Sequence, residues 1–276
     1  MSLRLGNKRF IAFIFGLASP FWGLIYFAEC QAAGEKQLFY TVWHGTKPCC
    51  TVPHHSKQRN HMIILIGSEK GGTGKTTLTT NLVTLHLAKG FDALLVDTDK
   101  QGSASAWSAT RDAGDLKPVP CIQKFGKSLT TELKGLAKKY DDIFVDAGGR
   151  DSIELRAALL AADRIYIPLI PSQIDVWTLG LMKQLIEESQ LFNPSLKPYF
   201  IISRASTNPA VTEVEEVQDT LRDIEGVGLC RAIIRERIAY RKAPRHGMGV
   251  TELTGTDRDG KAIIELTDFY KEIFHE

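Results

Sequence analysis

From Met62 onward the sequence predicts a single doubly wound α/β domain, with a mainly parallel sheet and helices on both faces. Three observations point there. Apolar runs at 62–67 (MIILIG), 93–97 (ALLVD) and 143–145 (IFV) are continuous rather than alternating, as in strands buried on both sides. Each such run is followed by a stretch with helical character, the order expected of a parallel sheet. The first run also opens into a glycine-rich loop directly before a helix. The composition agrees: 276 residues, 43% hydrophobic and 24% charged, describe an ordinary globular chain with a sizeable core. Global disorder, a collagen-like repeat and a polytopic membrane protein are excluded. Five cysteines are too few and too scattered for a disulfide scaffold.

The charge is unevenly divided. Residues 1–61 hold 7 of the 34 Lys+Arg and 2 of the 32 Asp+Glu, a balance of +5, against −3 for residues 62–276. Within this extension, 10–27 is an uncharged, largely apolar run preceded by Arg4, Lys8 and Arg9. As a helix it would be about 27 Å long, slightly short of the hydrocarbon thickness of a bilayer. Two readings stand side by side. Either the run is a membrane anchor or export signal with its positive flank inside, or 1–61 is not part of the working protein, which then begins at Met62. The extension is expected to be helical or poorly ordered. Cys49-Cys50 and His54-His55 match no zinc-ligand spacing, and no two-helix DNA reader is visible.

The loop after 62–67 reads Ser68-Glu69-Lys70-Gly71-Gly72-Thr73-Gly74-Lys75-Thr76-Thr77, with a helix expected to about Lys89. Strand, glycine-rich loop and helix form the context that a phosphate-binding loop requires. Glycines allow close backbone approach, so that Gly71, Gly72, Thr73 and Gly74, with the helix N-terminus, can surround a di- or triphosphate. Lys75 is placed to neutralise phosphate charge, Thr76 to coordinate Mg2+, and Thr77 completes the cradle.

The second strand runs into Asp97-Thr98-Asp99-Lys100-Gln101-Gly102, and the third, expected over 141–146, ends in Asp146. Strand-end acids at the carboxyl edge of a parallel sheet lie where such sheets bind ligands. Further strands are expected at 164–172 and 199–204, and a helix from near Asp175 and Trp177.

Lys70, ahead of the double glycine, is not needed by an ordinary phosphate loop. Lys70-Gly71-Gly72-Thr73-Gly74-Lys75-Thr76 resembles the deviant Walker A motif of the ParA/MinD family of ATPases. The segment 97–103 resembles that family's Asp-x-Asp-x-Gln-Gly switch, with Lys100 where proline is more usual, and 147–152 resembles its second switch. The resemblance covers 62–276, and the length is like that of the small plasmid-type ParA proteins. It implies ATP and Mg2+ as cofactors and an ATP-bound homodimer in which Lys70 reaches the partner's nucleotide. It further implies Asp97 and Asp146 near the metal and Asp99 orienting the attacking water. A centromere-binding ParB-type adaptor would stimulate hydrolysis. A cytoplasmic, nucleoid-associated protein that segregates plasmid or chromosome follows, through non-specific DNA binding by a C-terminal basic surface. The alternative is a MinD-like or tyrosine-kinase-like regulator at the inner membrane, should 10–27 anchor it.

Arg235, Arg237, Arg241, Lys242 and Arg245 are the candidates for that basic surface. Arg237 and Arg241 share a face if the stretch is helical, with Pro244 near its end. Residues 261–274 form an amphipathic pattern with apolar positions at Ile263, Ile264, Leu266, Phe269, Tyr270, Ile273 and Phe274. Its acids outnumber Lys271, so it is expected to pack on the domain rather than on an anionic membrane.

Overall fold

The computed structural model describes the backbone of residues 2–5, 8–11, 23–32, 35–44 and 47–54, and residues 61–149, 151–173, 176–208 and 210–274. The chain divides into two compact units, Met1–Arg59 and Asn60–Glu276. In the first, β1 (Ser2–Leu5), β2 (Lys8–Ile11), β3 (Gly23–Ala32), β4 (Glu35–His44) and β5 (Lys47–His54) pair antiparallel in chain order. This corrects the expectation of a helical or poorly ordered extension. Tyr40-Thr41-Val42-Trp43 is a run of strong strand formers, and β4 has a pairing partner on each side. Of the apolar run 10–27, residues 12–22 lie outside the described residues, and the described remainder is strand. Among the described residues no helix is long and apolar enough to cross a membrane.

The second unit alternates strand and helix. Its strands are β6 (Met62–Ser68), β7 (Ala93–Asp97), β8 (Cys121–Gln123), β9 (Asp142–Gly149), β10 (Arg164–Leu169), β11 (Lys197–Ala205) and β12 (Gly228–Arg235). Its helices are α1 (Lys75–Ala88), α2 (Ser103–Asp112), α3 (Leu129–Leu136), α4 (Ile153–Leu159), α5 (Val176–Gln190), α6 (Glu213–Arg222), α7 (Ile238–Lys242) and α8 (Gly260–Phe274). The seven strands form one sheet in the order β12-β11-β10-β6-β9-β7-β8, with every pairing parallel.

The continuous apolar strands feed two cores because successive side chains point to opposite faces. Ile63 and Leu65 of β6 join Ile143 and Val145 on one face, beneath α3, α4, α5 and α6. Ile64 and Ile66 join Phe144 and Tyr166 on the other, beneath α1, α2, α7 and α8. Helix α8 packs on the domain as expected: Leu266, Phe269, Tyr270 and Ile273 are buried, whereas Ile264 is exposed. His86 of α1, fully buried, stitches this face to the sheet. Its Nε2 lies 3.1 Å from Asp142 Oδ2, and its Nδ1 lies 2.9 Å from the Tyr270 hydroxyl.

The connection from β6 through α1 runs to β7, beyond β9, while β10 lies on the other side of β6. The strand order therefore diverges at β6, and a crevice opens above its carboxyl end. The basic stretch 229–247 departs from the helical reading. It is strand through Arg235, and α7 spans Ile238–Lys242, with Arg237 at its N-cap in an extended conformation. Arg237 and Arg241 thus do not share the face of one continuous helix. Pro244 sits in a short 3-10 turn that follows α7.

Candidate functional site

The loop leaving β6 ends at Gly74, the N-cap of α1, in the left-handed region (φ 95). A Cβ there would stand 2.9 Å from Ser203 Oγ, so both backbone and space demand glycine. The first turn of α1 contains no acidic residue, which leaves the positive end of the helix available to an anion.

Lys75 opens α1 and is buried. Its Nζ donates to the Lys70 carbonyl at 2.8 Å and to the Ser68 hydroxyl at 3.3 Å. Burial lowers its pKa, and the charges of Asp146 and Asp99 work against that shift. A phosphate would give this desolvated ammonium a nearer counterion.

Two strand ends bring the acids. Asp146 of β9 is buried, and its Oδ2 accepts from the Thr76 hydroxyl at 2.6 Å. The Thr79 hydroxyl lies 3.4 Å from Oδ1. Burial pushes the Asp146 pKa up to about 7; the Thr76 hydrogen bond opposes this and the charge of Asp97 adds to it. Asp97 closes β7, fully buried. Its Oδ2 accepts from the Ser105 amide and hydroxyl at 2.8 and 2.9 Å, and its Oδ1 from the Asp99 amide at 3.1 Å. Asp99 in turn accepts from the Gln101 amide at 2.9 Å. Glycines seat the loop after β9 against these groups. A Cβ on Gly149 would stand 3.0 Å from the Gly71 amide, the Lys70 carbonyl and Lys75 Nζ; one on Gly148 would stand 3.3 Å from Asp99 Cγ.

The donor set fits Mg2+: one hydroxyl and buried carboxylates beside a phosphate loop, all hard oxygen ligands. Asp146, whose anion burial disfavours, would be ionised beside a divalent cation. Among the described residues no group of three or more His, Cys, Asp or Glu could hold a metal by itself. Phosphate oxygens and water would complete the coordination, the usual habit of Mg2+.

Lys75, Thr76, Asp99, Gly148 and Gly149 line a cleft of about 1050 Å3, which also takes in Thr77, Lys100, Gln101, Ser152 and, on its far flank, Ser203, Arg204 and residues 234–237, 240 and 241. The structure therefore brings Gly71, Gly72, Gly74, Lys75, Thr76, Thr77 and Asp99 to one cleft; the buried Asp146 accepts from Thr76 and the buried Asp97 from the Asp99 amide, whereas Thr73 is buried outside the lining. Thr73 is a loop brace, its hydroxyl 2.9 Å from that of Ser68. Gly71 is ordinary in its surroundings, with nothing within 4 Å of an added Cβ.

The five basic candidates do not behave alike. Arg237 pairs with Glu265 at 2.6 Å, both largely buried, and Lys242 pairs with Asp257. Arg235 donates to the Ser206 carbonyl. Arg241 and Arg245 are exposed and make no ion pair among the described residues. Sequence reasoning missed Ser68 and Ser105, which bond within the loop and to Asp97, and Ser203, Arg204 and Glu236, whose placement depends on contacts between distant strand ends.

A phosphate loop at the carboxyl edge of a parallel sheet, faced by two strand-end acids, defines a P-loop nucleotide-binding protein. The family described as the CobQ/CobB/MinD/ParA nucleotide binding domain matches residues 64–250, and the chain belongs to it. The maintenance of carboxysome distribution protein A of Halothiobacillus neapolitanus is 27% identical over 211 residues, 76% of this chain and 95% of that protein. Its namesake from Gloeobacter kilaueensis is 30% identical over 194 residues, 70% and 85% of the two chains. In structure, a putative plasmid partition protein from Borrelia burgdorferi bound to AMPPNP superposes with a TM-score of 0.58 at 23% identity, covering 77% of this chain and 99% of that one.

Proposed function

We propose that the chain is an ATP-driven, dimerising ATPase that binds DNA without sequence preference and uses that cycle to position a cargo. The observation that carries the reading is the double-lysine loop. Lys75 is buried among loop oxygens, and a second lysine, Lys70, begins the same loop. Lys75 holds the β- and γ-phosphates, while Lys70 acts on the partner's nucleotide. Thr76, Asp97 and Asp146 hold Mg2+, directly or through water; the metal neutralises phosphate charge when bound. Asp99 orients the attacking water. Arg241 and Arg245 supply the exposed charge for DNA, together with whatever share Arg235, Arg237 and Lys242 retain. An adaptor of the ParB type stimulates hydrolysis and releases the dimer.

The cargo is a plasmid or chromosome in the first reading. The relatives named for the maintenance of carboxysome distribution favour a second, in which the same cycle distributes a carboxysome. Both readings are tested by measuring binding of arbitrary duplex DNA with ATP, ADP or no nucleotide across a salt series. Binding with ATP alone, weakened by salt and lost in Lys70→Ala, is expected. Equal binding in all three states would overturn the nucleotide-controlled cycle.

A further inference from the structure

Arg204 is the last residue but one of β11 and is the one non-glycine residue among those described with a left-handed backbone (φ 54). L-residues adopt that conformation at a cost, so something across the sheet edge must hold it. Its side chain shows what. Nη1 donates to the Gly72 carbonyl of the phosphate loop at 2.6 Å, and Nη2 donates to Glu236 Oε1, just after β12, at 2.9 Å. Its stem runs along the same loop, with Cγ and Cδ 3.9 and 4.0 Å from where a Cβ of Gly74 would stand. Arg204 is 132 residues from Gly72 in sequence, so the contact is made by the fold and not by local chain geometry.

A peptide carbonyl facing a phosphate repels it, whereas one turned outward presents the amide side of the loop. Gly72, at φ 76, has the backbone freedom to do either. We infer that Arg204 is a positioning residue for the phosphate-binding loop: its guanidinium holds the Gly72 carbonyl away from the nucleotide and anchors the loop to Glu236. The planar fork of arginine suits this task, because two donors on one rigid group satisfy a carbonyl and a carboxylate together. This inference rests on the nucleotide reading of the cleft. It adds that the loop's geometry is fixed from the flank opposite the acids.

The test uses the full 276-residue chain with Arg204→Gly, Arg204→Lys and Lys75→Ala, measuring ATP and ADP affinity by calorimetry, steady-state kinetics and thermal melting. Arg204→Gly removes the guanidinium while accepting the left-handed backbone, so its melting temperature should not fall. Its affinity for ATP and ADP is expected to weaken equally, by about tenfold, as a lost charge-assisted contact would give. Its KM should rise while kcat changes by less than about threefold, since the loop is a binding element for both states. Arg204→Lys keeps a donor for the Gly72 carbonyl but loses the fork that also holds Glu236, and should recover part of the affinity.

Wild-type affinity in Arg204→Gly, with binding lost in Lys75→Ala, would overturn the inference and leave the nucleotide site standing. A loss confined to ATP or to ADP would also overturn it, as a direct contact with one nucleotide. So would a loss that lysine does not recover and that follows a lowered melting temperature. Failure of the wild-type chain to bind either nucleotide would instead remove the reading beneath it.

Discussion

The two flanks of the cleft carry opposite charge and treat it in opposite ways. On the flank of β7 and β9, Asp97 and Asp146 are buried, and both are held by hydroxyl or amide donors from α1, α2 and the strand-end loop. On the flank of β11 and β12, arginines are many but mostly committed. Arg204 holds Gly72 and Glu236, Arg235 holds Ser206, and Arg237 holds Glu265. Burial disfavours the Asp146 anion, a penalty that a divalent cation at the proposed site would relieve. The arginines are satisfied within the chain, so that only a minority remains for an outside partner. A dense basic stretch in a sequence is therefore a poor measure of the positive surface it produces.

The largest effect that would break this contrast is on the acid flank's cation. Lys75→Ala should weaken ATP binding at least about a hundredfold, through loss of a buried charge-assisted contact. Titration calorimetry showing an unchanged affinity would mean that the buried lysine faces something other than phosphate. Next, Asp99→Ala should slow hydrolysis by about a hundredfold if it positions the water. A filter-binding assay on the same variant should return wild-type ATP affinity.

On the basic flank the contrast is between committed and uncommitted arginines. Arg237→Ala leaves Glu265 with the Arg235 amide but without its ion-pair partner at a largely buried position, and should cost about 2 kcal/mol of stability, read from urea unfolding. The paired change Arg241→Ala with Arg245→Ala should leave unfolding within about 0.5 kcal/mol of wild type. In DNA titrations it should flatten the logarithmic salt dependence by about 2. If Arg237→Ala flattened the salt dependence as much, with stability intact, the division between the two sets would fail.

Much of the sheet was legible because its central strands are buried on both faces. That burial demands the unbroken apolar runs at β6, β7, β9, β10 and β11. The edge strands were not legible. β8 is three residues long, and β12 lacks an unbroken apolar run because the exposed Arg231 and the half-buried Arg235 interrupt it, within a basic stretch that continues into α7. The loop, its lysines and the acids could be read from spacing, since phosphate chemistry fixes residue types locally. Thr76 and Asp146 are 70 residues apart, and their meeting follows from β6 and β9 being neighbours. Ser203, Arg204 and Glu236 carry no such signature. Their role comes from a left-handed residue at a strand end, which sequence spacing does not announce.

The packing of α8 has a consequence for the order in which the molecule can be completed. Leu266, Phe269, Tyr270 and Ile273 cover the same face of the sheet as α1, and His86 of α1 bonds to Tyr270. A chain made from its amino end presents the phosphate loop and α1 early, yet lacks the lid over their hydrophobic side until the fifteen-residue α8 emerges. During synthesis, then, the phosphate loop is made well before the helix that seals the underside of its sheet. A ribosome stalled before Gly260 would hold a nearly whole sheet with one greasy face open to chaperones.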